Sequence, residues 1–376
     1  MDARLLRCWI GFNRAKGIGP IRQRMLTEHF GSIELAWNAP AQKLQEAGLD
    51  QRSLQSLLST RSTFDFDAEM RAIERAGAWV LTLEDAQYPP LLRQIPDPPP
   101  LLYVKGTLTE SDWNAIAVVG TRRATTYGKT MTHDLVEPLA RLGITIVSGL
   151  ARGIDATAHE TALEAGGRTI AVMANGIDRV YPPEHRLLAE SIMANGALIS
   201  ELPIGEPAES SHFAPRNRIV SGMSLGTLVV EAAEHSGALM TANLAVDQGR
   251  EVFAVPGNAL SSASKGTNTL IQNGAKMVLE VKDILNELKL DVSVPQTRIQ
   301  PSAPDIPKVE GETEIILLRN LSGEPQHIDN LLHETGLPIS AIVGTLTLLE
   351  LKGLVRQEGV LLYALTNLGL AYIQKY

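Results

Sequence analysis

Two short apolar runs, AIAVV at 115–119 and ITIV at 144–147, constrain this chain more than any other feature. Both are rich in Val and Ile, and both break abruptly into a turn rich in Gly and Arg, GTRR at 120–123 and SGLARGID at 148–155. Buried strands of a parallel sheet read this way. Residues 126–142 are long enough for a crossover helix and stop at Gly143. Strand, turn, helix, strand, turn makes a βαβ unit. Its turns fall at the carboxyl ends of the strands, where open α/β sheets bind ligands. Gly120, Gly149 and Gly153 allow a close backbone approach. Arg122, Arg123 and Arg152 supply fixed positive charge suited to phosphate.

The pattern continues. Strand-like runs at 169–173, 197–200, 227–230, 251–255 and 276–279 alternate with helix-like stretches at 155–165, 184–194, 216–221, 238–248 and 267–272. This predicts an α/β class, an extended Rossmann-like, doubly wound parallel sheet. Upstream, apolar runs at 79–83 and 101–104 flank a proline-rich extended stretch, and they are expected to add an edge to the sheet. Residues 1–64 are helical in pattern. Within them Gly17-Ile18-Gly19-Pro20 resembles a helix–hairpin–helix turn, whose free N–H groups hold a phosphate. A small helical interaction domain with an ordinary tight turn reads the same way. Residues 289–311 carry four prolines and read as a linker. Residues 312–376 read as three helices and a hairpin, a winged-helix pattern. The expected domains are 1–64, 65–288 and 312–376, with 289–311 between the last two.

Composition narrows the function classes. A single cysteine, Cys8, excludes a disulfide framework and any cysteine-based metal centre. The histidines show no metal-ligand spacing, so neither a metal nor a cofactor is expected. No stretch reaches the roughly 18 apolar residues of a membrane span, and the amino terminus lacks a signal-like apolar core, so a cytoplasmic setting is expected. The formal net charge is −8, so nucleic-acid binding must come from a local basic patch.

Five loops share one type, glycine or serine beside Arg, Lys or Asn: 119–123, 148–155, 212–218, 234–237 and 256–268. Their cations Arg122, Arg152, Arg216, Arg218 and Lys265 are expected to converge on one crevice, with Phe213 beside them to stack on a base. Taken singly, Arg122 or Arg152 reads equally as an ion pair, and Phe213 as core. Arg216 and Arg218 are two apart and cannot share a helical face, so one of them is expected to pair with Glu231 or Glu201. The dinucleotide fingerprint G-x-G-x-x-G is absent, the Walker glycine is replaced by Arg123, and no G-x-S-x-G elbow occurs. Asp155, four residues before His159, reads as a loop-holding helix-start carboxylate rather than half of an acid/base pair. Gly226-Thr227 with Glu231 faintly resembles the PGGxGTxxE motif of nucleotide phosphoribohydrolases. The double glycine is missing, and Glu231 falls one position late. A one-residue slip reverses a strand side chain.

In order, the chain contains VGTRR (119–123), SGLARGID (148–155), YPPEH (181–185), SELP (200–203), PRNRIVSG (215–222), VVEA (229–232), PG (256–257) and KGTNTLIQNGA (265–275). This series resembles the DNA-processing protein A family (DprA, also called Smf). The resemblance implies a non-catalytic protein that binds single-stranded DNA and forms a homodimer through the α/β domain. It also implies protection of incoming single strands and help in loading the RecA recombinase during natural transformation. Carried over by motif, the implied nucleic-acid-binding residues are Gly120, Thr121, Arg122, Ser148, Gly149, Arg152, Phe213, Arg216, Asn217, Arg218 and Lys265. The alternatives are a phosphoribohydrolase-like enzyme and a protein-interaction scaffold. The carboxy-terminal segment does not read as a duplex reader. Residues 311–376 hold four Lys/Arg against seven Asp/Glu, and helix 338–353 has one cation.

Overall fold

The runs read as strands are strands. The computed structural model describes residues 2–290, 309 and 311–375, so the expected linker at 289–311 falls largely outside the described residues. Six helices come first: α1 (Ala3–Arg14), α2 (Pro20–Phe30), α3 (Ile33–Asn38), α4 (Ala41–Glu46), α5 (Gln51–Thr63) and α6 (Phe66–Arg75). Asp2, Ser32, Asp50 and Asp65 cap α1, α3, α5 and α6, each accepting from a backbone N–H that the helix leaves unpaired. The Gly17–Pro20 turn joins α1 to α2, with Gly17 at φ 85° and Pro20 at the first helical position.

The α/β part follows: β1 (Trp79–Thr82), α7 (Pro90–Arg93), β2 (Leu101–Gly106), β3 (Ala115–Val119), α8 (Thr126–Arg141), β4 (Thr145–Ser148), α9 (Ile154–Glu164), β5 (Thr169–Val172), α10 (Arg186–Ala194), β6 (Gly196–Ser200), α11 (Ser210–Gly222), β7 (Gly226–Val229), α12 (Gly237–Asp247), β8 (Glu251–Ala254), α13 (Lys265–Gln272), β9 (Lys276–Met277) and α14 (Val281–Glu287). The strands form one sheet in the order β1-β2-β6-β5-β4-β3-β7-β8-β9. From β6 to β9 every pairing is parallel. The expected added edge is present, and it is antiparallel: β1 pairs β2, and β2 pairs β6. From β3 the chain builds outward through β4, β5 and β6, then returns to β7 on the other side. This reversal between β3 and β7 is the switch point of a doubly wound sheet.

Alternate residues of β3 enter opposite cores. Ala115, Ala117 and Val119 pack with Ile219 and Val220 of α11 and with Ala238 and Ala242 of α12. Ile116 and Val118 pack with Leu135 and Val136 of α8 and with Ala158 and Ala162 of α9. Burial on both faces explains why the strand sequences are continuously apolar. A third core joins Trp9, Phe12, Leu26 and Trp37 of the amino-terminal helices to Leu101 and Tyr103 of β2 and Leu198 of β6. The helices and the sheet therefore share an apolar interior. The largest boundary difference is at α11, which starts at Ser210, six residues early, because Pro215 lies inside the helix and disguises its start.

The chain divides near residue 292 into two compact units. The second contains α15 (Glu312–Asn320), β10 (Gln326–His327), α16 (Ile328–Thr335), α17 (Ile339–Leu351), β11 (Val355–Gly359), β12 (Leu362–Leu365) and α18 (Asn367–Lys375). Its three strands run β10-β12-β11, and Leu317, Leu331, Leu346 and Tyr363 form its core. This is the expected winged helix with one further helix, α18. Two of its cations are paired internally: Lys352 donates to Glu314 at 2.7 Å, and Arg356 meets Glu358 at 2.6 Å. Among the described residues no single helix is long and apolar enough to cross a membrane.

Candidate nucleic-acid interface

A cleft of about 390 Å3 opens at the sheet reversal. Val119, Gly120 and Arg122 line it from the end of β3, and Gly149 and Ala151 from the loop after β4. Phe213, Arg216 and Asn217 line it from α11, and Ser236, Gly237 and Met240 from the start of α12. Six of the expected site residues thus meet here: Gly120, Arg122, Gly149, Phe213, Arg216 and Asn217.

The glycines serve the loops before they serve a ligand. A Cβ on Gly120 would lie 2.5 Å from Ile154, and one on Gly149 would lie 2.6 Å from the Arg216 guanidinium. Gly153 has φ 77°, and a Cβ there would overlap the Thr121 carbonyl oxygen. The first two phosphate-type loops are in fact stitched together, with Ile154 N donating to Thr121 O at 3.2 Å. Thr121 N donates to Glu231 O at 2.7 Å, so the Thr121 backbone is engaged on both sides. Ser148 is fully buried, and its Oγ donates to Val118 O at 2.6 Å. It ties β4 to β3 and does not line the cleft.

The five cations do not all converge; two reach the cleft. Arg216 is buried beneath it and donates from Nη1 to Gly149 O at 2.7 Å and to Val172 O. Burial lowers its pKa to about 10, against the opposing pull of Asp155. Arg216 therefore clamps the ends of β4 and β5. Arg122 is exposed, makes no ion pair among the described residues, and holds its guanidinium 5.2 Å from the centroid of the Phe213 ring. Arg218 is buried in a different depression, meeting Glu201 at 2.6 Å and Asp97 at 3.0 Å. The expected pairing thus falls to Glu201. Arg152 pairs with Glu184 outside the cleft. Lys265 opens α13, exposed, on the same edge of the sheet but not among the lining residues. Asn217 Oδ1 accepts from Arg216 Nε at 3.3 Å.

The acidic groups are engaged too. Asp155 accepts from Gly149 N at 3.1 Å and Ala151 N at 3.3 Å, the loop-holding role expected of it. Burial raises its pKa. His159 is fully buried, with Nδ1 2.6 Å from Thr169 Oγ1, away from the cleft lining. Glu231 accepts from Thr125 N at 2.9 Å and Thr125 Oγ1 at 2.7 Å, which fixes the start of α8. It does not line the cleft, where a phosphoribohydrolase-like site would need it. Among the described residues no cluster could hold a metal ion.

The family model described as DNA recombination-mediator protein A matches residues 79–289. The chain belongs to this family. A second model, the DprA winged helix domain, matches residues 300–359. The Smf protein of Synechocystis is 34% identical over 382 residues, covering 93% of this chain and 96% of its own. A DNA processing protein A structure from Streptococcus pneumoniae superposes with TM-score 0.68 at 30% identity, covering 76% of this chain and 98% of that one. A Helicobacter pylori DNA processing protein A, described for its single-stranded DNA binding mode, gives TM-score 0.51 at 31% identity, covering 57% and 97%. DNA recombination-mediator protein A members are thus DNA-processing proteins, and the cleft occupies the matched domain. Sequence reasoning missed two features beside it. Met240, on the first turn of α12, is 47% exposed and carries no motif signal. Tyr181 belongs to the quoted YPPEH motif, but only the fold brings it against Phe213.

Proposed function

We propose that this chain is a recombination mediator that binds single-stranded DNA in the cleft. It shields the strand and helps to load the RecA recombinase, with natural transformation in the cytoplasm as the setting and a homodimer through the α/β unit as the working form. Arg122 carries the reading: an exposed guanidinium, free of carboxylates, over a half-buried aromatic ring at the switch point. Such a pair offers one charge to a phosphate chain and one face to a base without reading sequence. The first turn of α12, capped by Ser236, adds backbone N–H groups beside it. Exposed Arg123 and Lys265 extend the positive edge. Family membership and the single-stranded DNA binding described for the Helicobacter relative support the same reading.

The cleft binds and performs no chemistry on this reading, since Asp155 and Glu231 are both engaged with the backbone. The winged helix serves protein contacts, in keeping with its acidic excess and its internally paired Lys352 and Arg356. The test is fluorescence anisotropy with single- and double-stranded oligonucleotides at several salt concentrations, followed by RecA filament assembly on coated strands. Tight, salt-sensitive, single-strand-selective binding is expected. Equal affinity for duplex, or binding only in the millimolar range, would overturn the reading.

A further inference from the structure

Tyr181 stands just beyond the cleft rim. Its ring centroid lies 5.8 Å from that of Phe213, tilted by 58°, and the side chain is 41% exposed. Its hydroxyl makes no hydrogen bond among the described residues. The segment that presents it is anchored on both sides. Val180 packs into the core shared by the helices and the sheet. Asn175 Nδ2 donates to Arg179 O at 2.7 Å. After the tyrosine, Glu184 pairs with Arg152, and His185 Nδ1 lies 2.9 Å from Leu150 O. An exposed ring on an anchored loop, touching the one aromatic of the cleft, forms an aromatic surface that no packing requirement of the core explains.

We infer that Tyr181 is a second base-stacking surface and that the bound strand leaves the cleft over Phe213 toward Tyr181 and the Arg152–Glu184 pair. This rests on the reading of the cleft as a single-stranded DNA site. Arg122 and Phe213 hold one nucleotide, and Tyr181 receives the base of a neighbour. The tyrosine carries no charge, so it contributes through the base and not through the phosphate.

The test compares Tyr181→Leu, which keeps apolar packing against Phe213 but removes the π face, with Tyr181→Trp, which keeps it. Arg122→Ala and Phe213→Leu serve as references. Each is titrated with oligothymidine and with an oligomer of abasic sites, in the full chain, after matched melting curves. Tyr181→Leu is expected to weaken oligothymidine binding about fivefold, the low end for one stacked base. It should leave the abasic oligomer and the salt slope unchanged, and Tyr181→Trp should bind like the parent. If Arg122→Ala and Phe213→Leu weaken binding while Tyr181→Leu does not, the inference fails and the cleft reading stands. Equal loss on both oligomers would also overturn it, since Tyr181 would then act by placing Arg122 and Phe213. If none of the three changes matters, the cleft reading fails, and the inference with it.

Discussion

Arg122 and Arg218 look alike in the sequence, and the structure gives their removal opposite consequences. Arg122→Ala deletes an exposed cation that lies over an aromatic ring and makes no ion pair among the described residues. On single strands each phosphate contact contributes about 0.7 to the logarithmic salt slope, so a fourfold rise in salt should cost the variant about 2.6-fold less affinity than the parent. Loss of one exposed ion pair, about 1 kcal/mol at the upper end for such contacts, weakens binding about fivefold. The melting temperature should not move. Arg218→Ala instead leaves Glu201 and Asp97 without their cation. Breaking a buried pair from one side costs about 3–5 kcal/mol. At about 2–4 °C per kcal/mol, the lower figure predicts a fall of about 6–12 °C, with the salt slope intact. Burial already raises the Glu201 pKa and Arg218 opposes that rise, so in the variant Glu201 takes up a proton more readily. The deficit should therefore be largest in alkaline buffer and narrow toward acid, and Glu201→Gln in the same chain should recover part of it. Calorimetry and anisotropy on the two variants settle the matter. A shallower slope in Arg218→Ala, or a lowered melting temperature with unchanged slope in Arg122→Ala, would refute the assignment.

Three further outcomes follow from single groups. Burial holds His159 at a pKa of about 3, against 6.5 for an ordinary histidine. The unfolded chain therefore takes a proton below about pH 6.5 that the folded chain refuses. Stability is full above that pH and falls as pH drops, by about 1.4 kcal/mol per unit. Urea midpoints between pH 7 and 5 should show this slope, and His159→Asn should flatten it. Gly153→Ala forces a left-handed residue against Thr121 O, whereas Gly143→Ala, at φ 78°, meets open space. Denaturant titration should show the first as clearly more damaging, beyond the ~1–3 kcal/mol of backbone strain alone, and anisotropy should show weakened single-strand binding only there. Cys8 is buried, and desolvation raises its thiol to about 11. A thiol-reactive dye should label it only after the chain is denatured; prompt labelling of the native protein would contradict its placement.

The sheet was legible because buried strands in a doubly wound fold are short, apolar and ended by turns, and each of those is a local property. β3 and its glycine-rich loop could be read directly for that reason. The fate of the arginines was legible only in part: the pairing of one of Arg216 and Arg218 with Glu201 or Glu231 is readable from their spacing, but not which of them makes it. Whether Arg216 clamps carbonyls, Arg152 meets Glu184 or Arg218 meets Glu201 depends on partners that only folding brings close. Phe213 shows the same limit from the other side, since its ring meets Arg122 and Tyr181, each from a different loop. Even the start of a local element was hidden where one residue broke the local rule, as Pro215 did inside α11.

The apolar interior shared by the amino-terminal helices and the sheet has a thermodynamic corollary. Trp9 and Trp37 are buried with Tyr103 and Leu198, so the helices and the edge that carries the cleft share one core and are expected to melt as one cooperative unit. A partner that grips only the folded helices adds its own binding free energy to that unit's stability, in proportion to the logarithm of its concentration over its dissociation constant. Such a partner would steady the cleft while touching none of it.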